Sequence, residues 1–324
     1  MNLNSRVLAM SSPAVTKPRR IDGRWPSATM SGVNCVVLAL VGCAAAGVDW
    51  GGPVSLTIAS IGILVFGLPH GSLDIALLRR GGGVGIGNLA AILAVYIGVG
   101  LAMGALWWVA PTLALGAFLI VAVLHFAEDW SETGSPFLAI GMAVAVVAAP
   151  ALLHRTEVGA IFVALTGTRK AAMYGDLMLL AAPIGCSVAV AGILALVAAR
   201  QFDRAAVAFT SLAALIALPP ALGFAIFFGL FHSPRHLGEA LRALALPRAR
   251  QWLPLAVPTM LGATGLVVLL YRLEGSGMSE AMGLTSATFM ALSILTVPHM
   301  AVPKLVVSLG LDGPSSPPAA SRAR

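Results

Sequence analysis

Residues 222–236 read LGFAIFFGLFHSPRH and join an apolar run to two histidines and an arginine. Histidine and arginine in or beside lipid are costly, so their presence requires a reason. If the backbone is helical, the i,i+4 spacing places His232 and His236 on one side of the helix. Ser233 followed by Pro234 is also typical of a helix N-terminus, so a break between two helices is the alternative. On either interpretation the two imidazoles face a common point.

The composition is that of an integral membrane protein. Of 324 residues, 58% are hydrophobic and 10% are charged, and the mean hydropathy is +0.92, whereas a soluble chain carries about 25% charged residues. The apolar runs are too long for the alternating strands of a β-barrel. Candidate spans lie at 31–49, 53–78, 86–110, 112–130, 136–153, 175–199, 205–218, 221–243, 253–273 and 280–309. From the length that a span needs, we predict an all-α, polytopic transmembrane helix bundle of about 8–10 helices.

The positive charge indicates membrane orientation, and we predict no nucleic-acid partner. The net charge is +7, and the basic residues lie in short loops and tails. If the N-terminus is cytoplasmic and the predicted spans alternate, most of the 20 basic residues fall on the cytoplasmic side, as the positive-inside rule requires. The exceptions are Arg155, Arg169, Lys170 and Arg272. We therefore expect a multi-pass protein of the cell (inner) membrane with a disordered, basic cytoplasmic tail at 1–30 and a second disordered tail at 312–324.

Two further motifs place a histidine four residues before an aspartate. His70 precedes Asp74, and His125 precedes Asp129, with Glu128 beside the second aspartate. A carboxylate can accept the ring N–H of a metal-binding histidine and raise its basicity. That histidine is either the one a turn away or one contributed by another helix. The alternative is that the acidic residues are charges at helix ends and the histidines bond backbone groups.

In the predicted topology these motifs converge in one layer of the membrane. The motif histidines in the cytoplasmic halves of their helices are His70, His125, His232 and His236, and His299 lies near mid-depth. Neutral imidazoles in this number suit Fe(II), Zn or Cu, and two histidines with one carboxylate are the alternative set for iron. A shared metal site is therefore the favoured interpretation.

Two more residues are candidates for a supporting role. Arg235 lies between the two histidines, where it is either a partner of Asp74 or Asp129 or a side chain that extends to the headgroups. His299 follows Pro298 in an apolar helix, where proline opens the backbone ladder. It either supports the site from outside the ligand set or bonds the freed carbonyl.

In these motifs the sequence resembles the Brp/Blh family of membrane β-carotene 15,15′-dioxygenases, the prokaryotic enzymes that make retinal. The motifs are GLPHGSLD at 67–74, HFAED at 125–129, FHSPRH at 231–236 and VPH at 297–299. The resemblance implies a helical bundle with non-haem Fe(II) bound by histidines. It also implies that O₂ cleaves β-carotene, or a related carotenoid, at its central double bond to give two retinal molecules.

The same resemblance assigns roles to individual residues of a catalytic domain at 31–311. The family's motif histidines correspond to His70, His125, His232 and His236, which are the expected metal ligands and catalytic residues. The residues expected to support these ligands or contact substrate are Asp74, Glu128, Asp129, Arg235 and His299. The expected partners are the carotenoid, O₂ and the lipid bilayer, with a microbial rhodopsin as a recipient of retinal.

Two other functions fit the same residues. Membrane Asp, Glu and His are typical of proton relays, which makes a proton-coupled transporter the first alternative. Inverted repeats would support it, and the sequence has no convincing internal repeat. The second alternative is a non-catalytic carotenoid- or retinal-binding assembly factor for a rhodopsin. Stoichiometric iron would favour the oxygenase over the transporter, and carotenoid binding without turnover would favour the assembly factor.

Overall fold

The computed structural model describes residues 27–67, 71–77, 86–246, 248–273 and 278–308. Within these ranges the protein is all-α, and no strand occurs in them. His70, residues 1–26 of the predicted N-terminal tail and the whole predicted tail at 312–324 lie outside the described residues.

Most of the described residues lie in α-helices. In chain order they are α1 Ser27–Ala45, α2 Pro53–Gly62, α3 Ile86–Val109, α4 Pro111–Ala127, α5 Pro136–Ala148, α6 Ala151–Thr166, α7 Ala172–Ala198, α8 Phe202–Ala217, α9 Pro220–Ile226, α10 Ser233–Leu244, α11 Ala249–Leu273 and α12 Glu280–Ser308.

Short segments of other helical geometry join several of these helices. Two are π-helical turns, at Ile63–Gly67 and Phe227–His232. The 3₁₀ turns are Gly71–Leu73, Glu128–Thr133 and Arg169–Ala171. Because each non-α turn changes the rotation of the chain, it redirects the side chains that follow it.

The predicted fold class, an all-α polytopic bundle, is confirmed. Six helical segments in the described part of the chain are long and apolar enough to cross a membrane, or up to seven if the bent pair Pro136–Ala148 and Ala151–Thr166 is one span. The six are Pro53–Leu77 (described up to 67 and from 71), Asn88–Val109, Pro111–Thr133, Arg169–Ala198, Ala249–Leu273 and Glu280–Val302. Met30–Ala45 forms a shorter apolar helix within the predicted span 31–49.

Two predicted spans, 205–218 and 221–243, are not among the six, because α8 is short and the second segment combines a π-helical turn with the polar helix α10. Leu218 is extended (φ −98°, ψ 156°), so α8 ends before it and α9 begins at Pro220. Pro219 and Pro220 therefore lie at a turn between the two helices. After the π-helical turn, α10 has the sequence SPRHLGEALRAL, whose charged residues end the apolar run.

The histidine-bearing segment 227–236 continues as a helix through Ser233. Ser233 has right-handed helical dihedral angles (φ −62°, ψ −45°), and no side-chain capping hydrogen bond forms at this junction. The π-helical turn ends at His232, two residues before Pro234, which lacks the N–H that continues an α-helical ladder. The continuous helix, and not a break capped by Ser233, therefore sets the relative position of His232 and His236.

Small residues allow the helices to approach one another closely. Ala143 of α5 and Ala182 of α7 are fully buried where these two helices pack. A Cβ atom at Gly223 of α9 would lie 2.8 Å from the Ala214 carbonyl oxygen and 3.2 Å from the Leu215 Cα atom of α8. Glycine alone fits this contact without a backbone shift, and the contact positions the start of the segment that carries the histidines.

We expect Gly223→Ala to lower the free energy of unfolding by about 1–3 kcal/mol, the usual range for overpacking. The added methyl group would press on main-chain atoms of α8, which cannot rotate away. Gly262→Ala is the matched control, because it also lies inside a helix and nothing lies within 4 Å of its added Cβ. Thermal unfolding in detergent measures both variants, and equal midpoints would contradict the close contact.

Candidate metal centre

Histidines from separate segments meet inside the bundle. Among the described residues, they are His125 near the end of α4, His232 at the end of the π-helical turn, His236 in α10 and His299 in α12. The ring centroid of His125 lies 4.7 Å from that of His232, 5.9 Å from that of His236 and 5.2 Å from that of His299. The rings of His232 and His236 are 4.6 Å apart. The structure therefore brings these four imidazoles to one place.

Asp129 joins two of these histidines. Its carboxylate oxygens accept hydrogen bonds from His232 Nδ1 at 2.7 Å and from His236 Nε2 at 3.0 Å. Asp129 is 5% exposed and lies in the 3₁₀ turn that follows α4. An ionised carboxylate only accepts hydrogen bonds, so the bonded nitrogen of each ring carries the proton. In the neutral form of each ring, the other nitrogen is the one that carries the lone pair a metal ligand needs.

A second carboxylate, Asp74, orients His299. His299 Nδ1 donates to Asp74 Oδ2 at 2.6 Å, and the Tyr96 hydroxyl donates to the same oxygen at 3.4 Å. Asp74 is 9% exposed and directly follows the 3₁₀ turn Gly71–Leu73. A buried carboxylate that accepts a hydrogen bond from a ring N–H thus occurs at two points of the cluster.

These hydrogen bonds run between segments of the chain. Asp129 bonds histidines 103 and 107 residues away, and Asp74 bonds one 225 residues away. Of the two interpretations of the His-x-x-x-Asp spacing, the structure favours a carboxylate that supports a histidine of another helix. The cause at Asp129 is local, since 3₁₀ winding after Ala127 moves its side chain off the α-helical i+4 line.

Arg235 secures the turn that carries Asp129. Its guanidinium donates to the Asp129 backbone carbonyl oxygen and to Glu132 Oε1, the latter at 2.7 Å, and its Nε donates to Glu239 at 3.2 Å. Glu132 also pairs with Arg204 of α8. Of the two interpretations of Arg235, the structure therefore favours a partner of the Asp129 turn, through the main chain and Glu132.

Two predicted site residues, Glu128 and His70, are not placed in the cluster by the described structure. Glu128 is exposed, next to the buried Asp129. His70 lies outside the described residues, directly before the described segment 71–77. Nothing in the structure therefore tests its expected role as a ligand.

Three residues around the site were not predicted from the sequence. Glu239 follows Arg235 by four residues in α10, and this helical spacing favours an ion pair, so the sequence contained a signal for it. Glu132 and Tyr96 pair with groups on other segments. No local spacing reveals such contacts.

Aromatic rings enclose one side of His232. Phe228 stacks on its imidazole with centroids 5.2 Å apart and an interplanar angle of 15°, and Phe126 meets it edge-on at 5.1 Å. Phe224 stacks in turn on Phe228 at 5.4 Å. Because Phe228 and Phe126 are buried, they keep water from that side and restrict the orientation of the imidazole.

The donor set fits a transition-metal ion. Ligand atoms of Asp129, His232 and His236 lie within 4.8 Å of one another, and His125 and His299 contribute further imidazoles beside them. Imidazole suits iron, zinc and copper, and two histidines with one carboxylate suit non-haem iron. The arrangement is compatible with two ligand sets, one made of imidazoles that the carboxylates orient and one that includes Asp129 itself.

Comparison with known families points the same way. The sequence model described as beta-carotene 15,15′-dioxygenase matches residues 61–306, well over half of the chain. The chain belongs to this family. No individual curated protein and no solved structure matches it significantly. The matched range of the β-carotene dioxygenase family contains the whole described cluster, so the family that the motifs predicted is confirmed.

We expect Asp129→Asn to lower the affinity for Fe(II) about 10–100-fold, the range typical when a hydrogen-bond partner of a metal ligand is replaced. His232 and His236 bond different oxygens of Asp129, and an amide replaces one of these oxygens with an NH₂ donor, so one of the two hydrogen bonds is lost. Glu128→Gln is the matched control, since it makes the same change on the exposed neighbour. Metal titration of purified protein measures both. Unchanged affinity in D129N would contradict the supporting role, and a much larger loss would indicate that Asp129 binds the ion directly.

Proposed function

We propose that this chain is an integral-membrane oxygenase that uses O₂ to cleave β-carotene, or a related carotenoid, at the central 15,15′ double bond to give two retinal molecules. The match over residues 61–306 supports a carotene dioxygenase, and the His/Asp cluster supports a metal-dependent reaction. One observation carries the proposal. Imidazoles from separate segments converge, and buried carboxylates from other segments orient them.

The proposed metal is non-haem Fe(II). We assign His125, His232 and His236 as ligands, with His70 as the fourth. For His232 the ligand atom would be Nε2, because its Nδ1 donates to Asp129. When bound, iron supplies the one-electron chemistry that allows ground-state O₂ to react with a closed-shell polyene.

The proposed contribution of the other side chains is positional. Asp129 and Asp74 hold imidazole rings in one orientation, and Arg235 holds the turn of Asp129. Phe126 and Phe228 keep water from His232. A dry site of fixed geometry favours oxidation of the bound polyene over side reactions.

A membrane location suits both the substrate and the product. The apolar helices favour a multi-pass membrane protein, and we propose the cell (inner) membrane with a cytoplasmic N-terminus. Carotenoid and retinal are apolar and leave water for hydrocarbon, so a site between helices exchanges them with the bilayer directly. A retinal-binding membrane protein such as a microbial rhodopsin would take up the product.

Expression in a bacterium that accumulates β-carotene tests the proposal. We expect the wild-type chain to remove the orange colour and to leave retinal in the extract, and His232→Ala and His236→Ala each to abolish iron binding and cleavage. His154→Ala is the matched control, because His154 pairs with Glu157 on α6, outside the cluster. Full retinal production by both cluster variants would refute the site assignment.

Metal analysis of the purified wild-type protein separates the oxygenase from its alternatives. Stoichiometric iron with retinal production supports the oxygenase. A protein with neither would favour proton-coupled transport, and one that binds carotenoid without turnover would favour an assembly factor.

A further inference from the structure

A cleft lies between α11 and α12 and leads toward the histidine cluster. Its empty volume is about 430 Å³, counting the space at its open part that is continuous with the outside. Residues that line it include Tyr96, Thr259, Met260, Ala263, Leu295 and His299. Most of its lining surface is apolar, so it suits a hydrocarbon better than a charged or strongly polar ligand.

The opening of the cleft lies at the middle of a membrane-length helix. Thr259, Met260 and Ala263 are near the centre of the 25-residue α11. The outer face of the same helix presents Leu255, Leu261 and Leu269, which are 47%, 67% and 54% exposed. A helix of this length and composition spans the hydrocarbon layer. With α11 as a membrane span, the exposed Thr259 near its centre places the mouth of the cleft at the depth of the lipid chains.

The inner end of the cleft is part of the histidine cluster. His299 lines the cleft, and its ring centroid is 5.2 Å from that of His125. Asp74 fixes the same imidazole through the 2.6 Å hydrogen bond to Nδ1, and Tyr96, which also lines the cleft, donates to that carboxylate. A ligand that fills the cleft would thus end beside the proposed metal site.

One wall of the cleft is held loosely. In the described part of the chain, α11 packs mainly against α12 and the turn Gly71–Leu73, and its buried residues are Ala256, Ala263 and Val267. Pro254 and Pro258 lie inside it and remove backbone hydrogen bonds. A helix with few buried contacts and an open ladder can move aside at low cost.

We propose that this cleft binds one arm of the carotenoid polyene and admits it sideways from the bilayer, with α11 as the movable wall. The inference rests on the proposed function, because it takes the polyene as the substrate. A long, stiff, apolar chain can reach the buried cluster from lipid through the cleft without crossing water. The walls of the cleft then set how far the chain slides in, and so which double bond lies beside the histidines.

The test compares bulky substitutions on the two faces of α11. Thr259→Trp places an indole at the opening, at an exposed position where folding tolerates it, and Leu261→Trp places the same ring on the outer face. For T259W we expect β-carotene binding by the metal-free chain in nanodiscs to fall, and the KM of the iron-loaded protein to rise, each at least about tenfold, as for a blocked apolar pocket. Iron content and kcat should stay near wild type, and L261W should behave as wild type.

A second pair probes the inside of the cleft. Ala263→Leu narrows it, because Ala263 is 5% exposed and lines the cleft. Gly262→Leu adds a larger side chain where nothing lies within 4 Å of the Cβ position. We expect A263L, and not G262L, to weaken carotenoid binding.

The outcomes separate this inference from the proposed function. If wild type binds β-carotene but does not cleave it, the proposed function fails, and the binding comparison still tests the cleft. If T259W and A263L bind carotenoid as wild type does, or if wild type binds none, the cleft is not the site. If native mass spectrometry finds a phospholipid that T259W displaces while carotenoid binding is unchanged, the cleft holds a lipid and the inference is overturned.

Discussion

The hydrogen bonds from His232 and His236 to the buried Asp129 are the constraint on which the site depends. They tie the turn after α4 to a segment more than a hundred residues later, and Arg235 bonds the backbone of the same turn. Removing one partner of a buried hydrogen bond typically costs about 1–3 kcal/mol, and more where the remaining group is charged, because that group is left unsatisfied. The hydrogen bonds that hold these helices together therefore also fix the orientation of the imidazole rings.

Irregular backbone geometry is concentrated next to this site. The π-helical turn Phe227–His232 and the 3₁₀ turns Gly71–Leu73 and Glu128–Thr133 each lie beside or contain a residue of the cluster. At membrane depth such backbone is tolerated where protein surrounds it. Each turn rotates the chain so that a polar side chain faces the interior, while the adjoining α-helices keep apolar residues toward lipid. A regular α-helix through Asp129 would place its carboxylate on a different face.

The sequence predicted the fold class and most members of the cluster. Low charge and long apolar runs indicated an all-α membrane bundle, and the rarity of histidine in lipid singled out His125, His232, His236 and His299. The extent of individual spans was less predictable, because hydropathy does not reveal the π-helical turn inside the helical segment 221–243. The i,i+4 spacing from His125 to Asp129 was present in the sequence, but it did not reveal which histidines the carboxylate bonds.

The sequence by itself determined three things: an environment of lipid, a helical secondary structure and the chemical groups of the site. They follow from hydropathy, helical periodicity and residue type, which are local properties of the chain. Tertiary structure alone decided the pairing of Asp74 with His299 and of Asp129 with His232 and His236, and the cleft between α11 and α12. These features depend on the rotation and register of one helix against another. Both are set by packing among segments far apart in the chain, which no local pattern specifies.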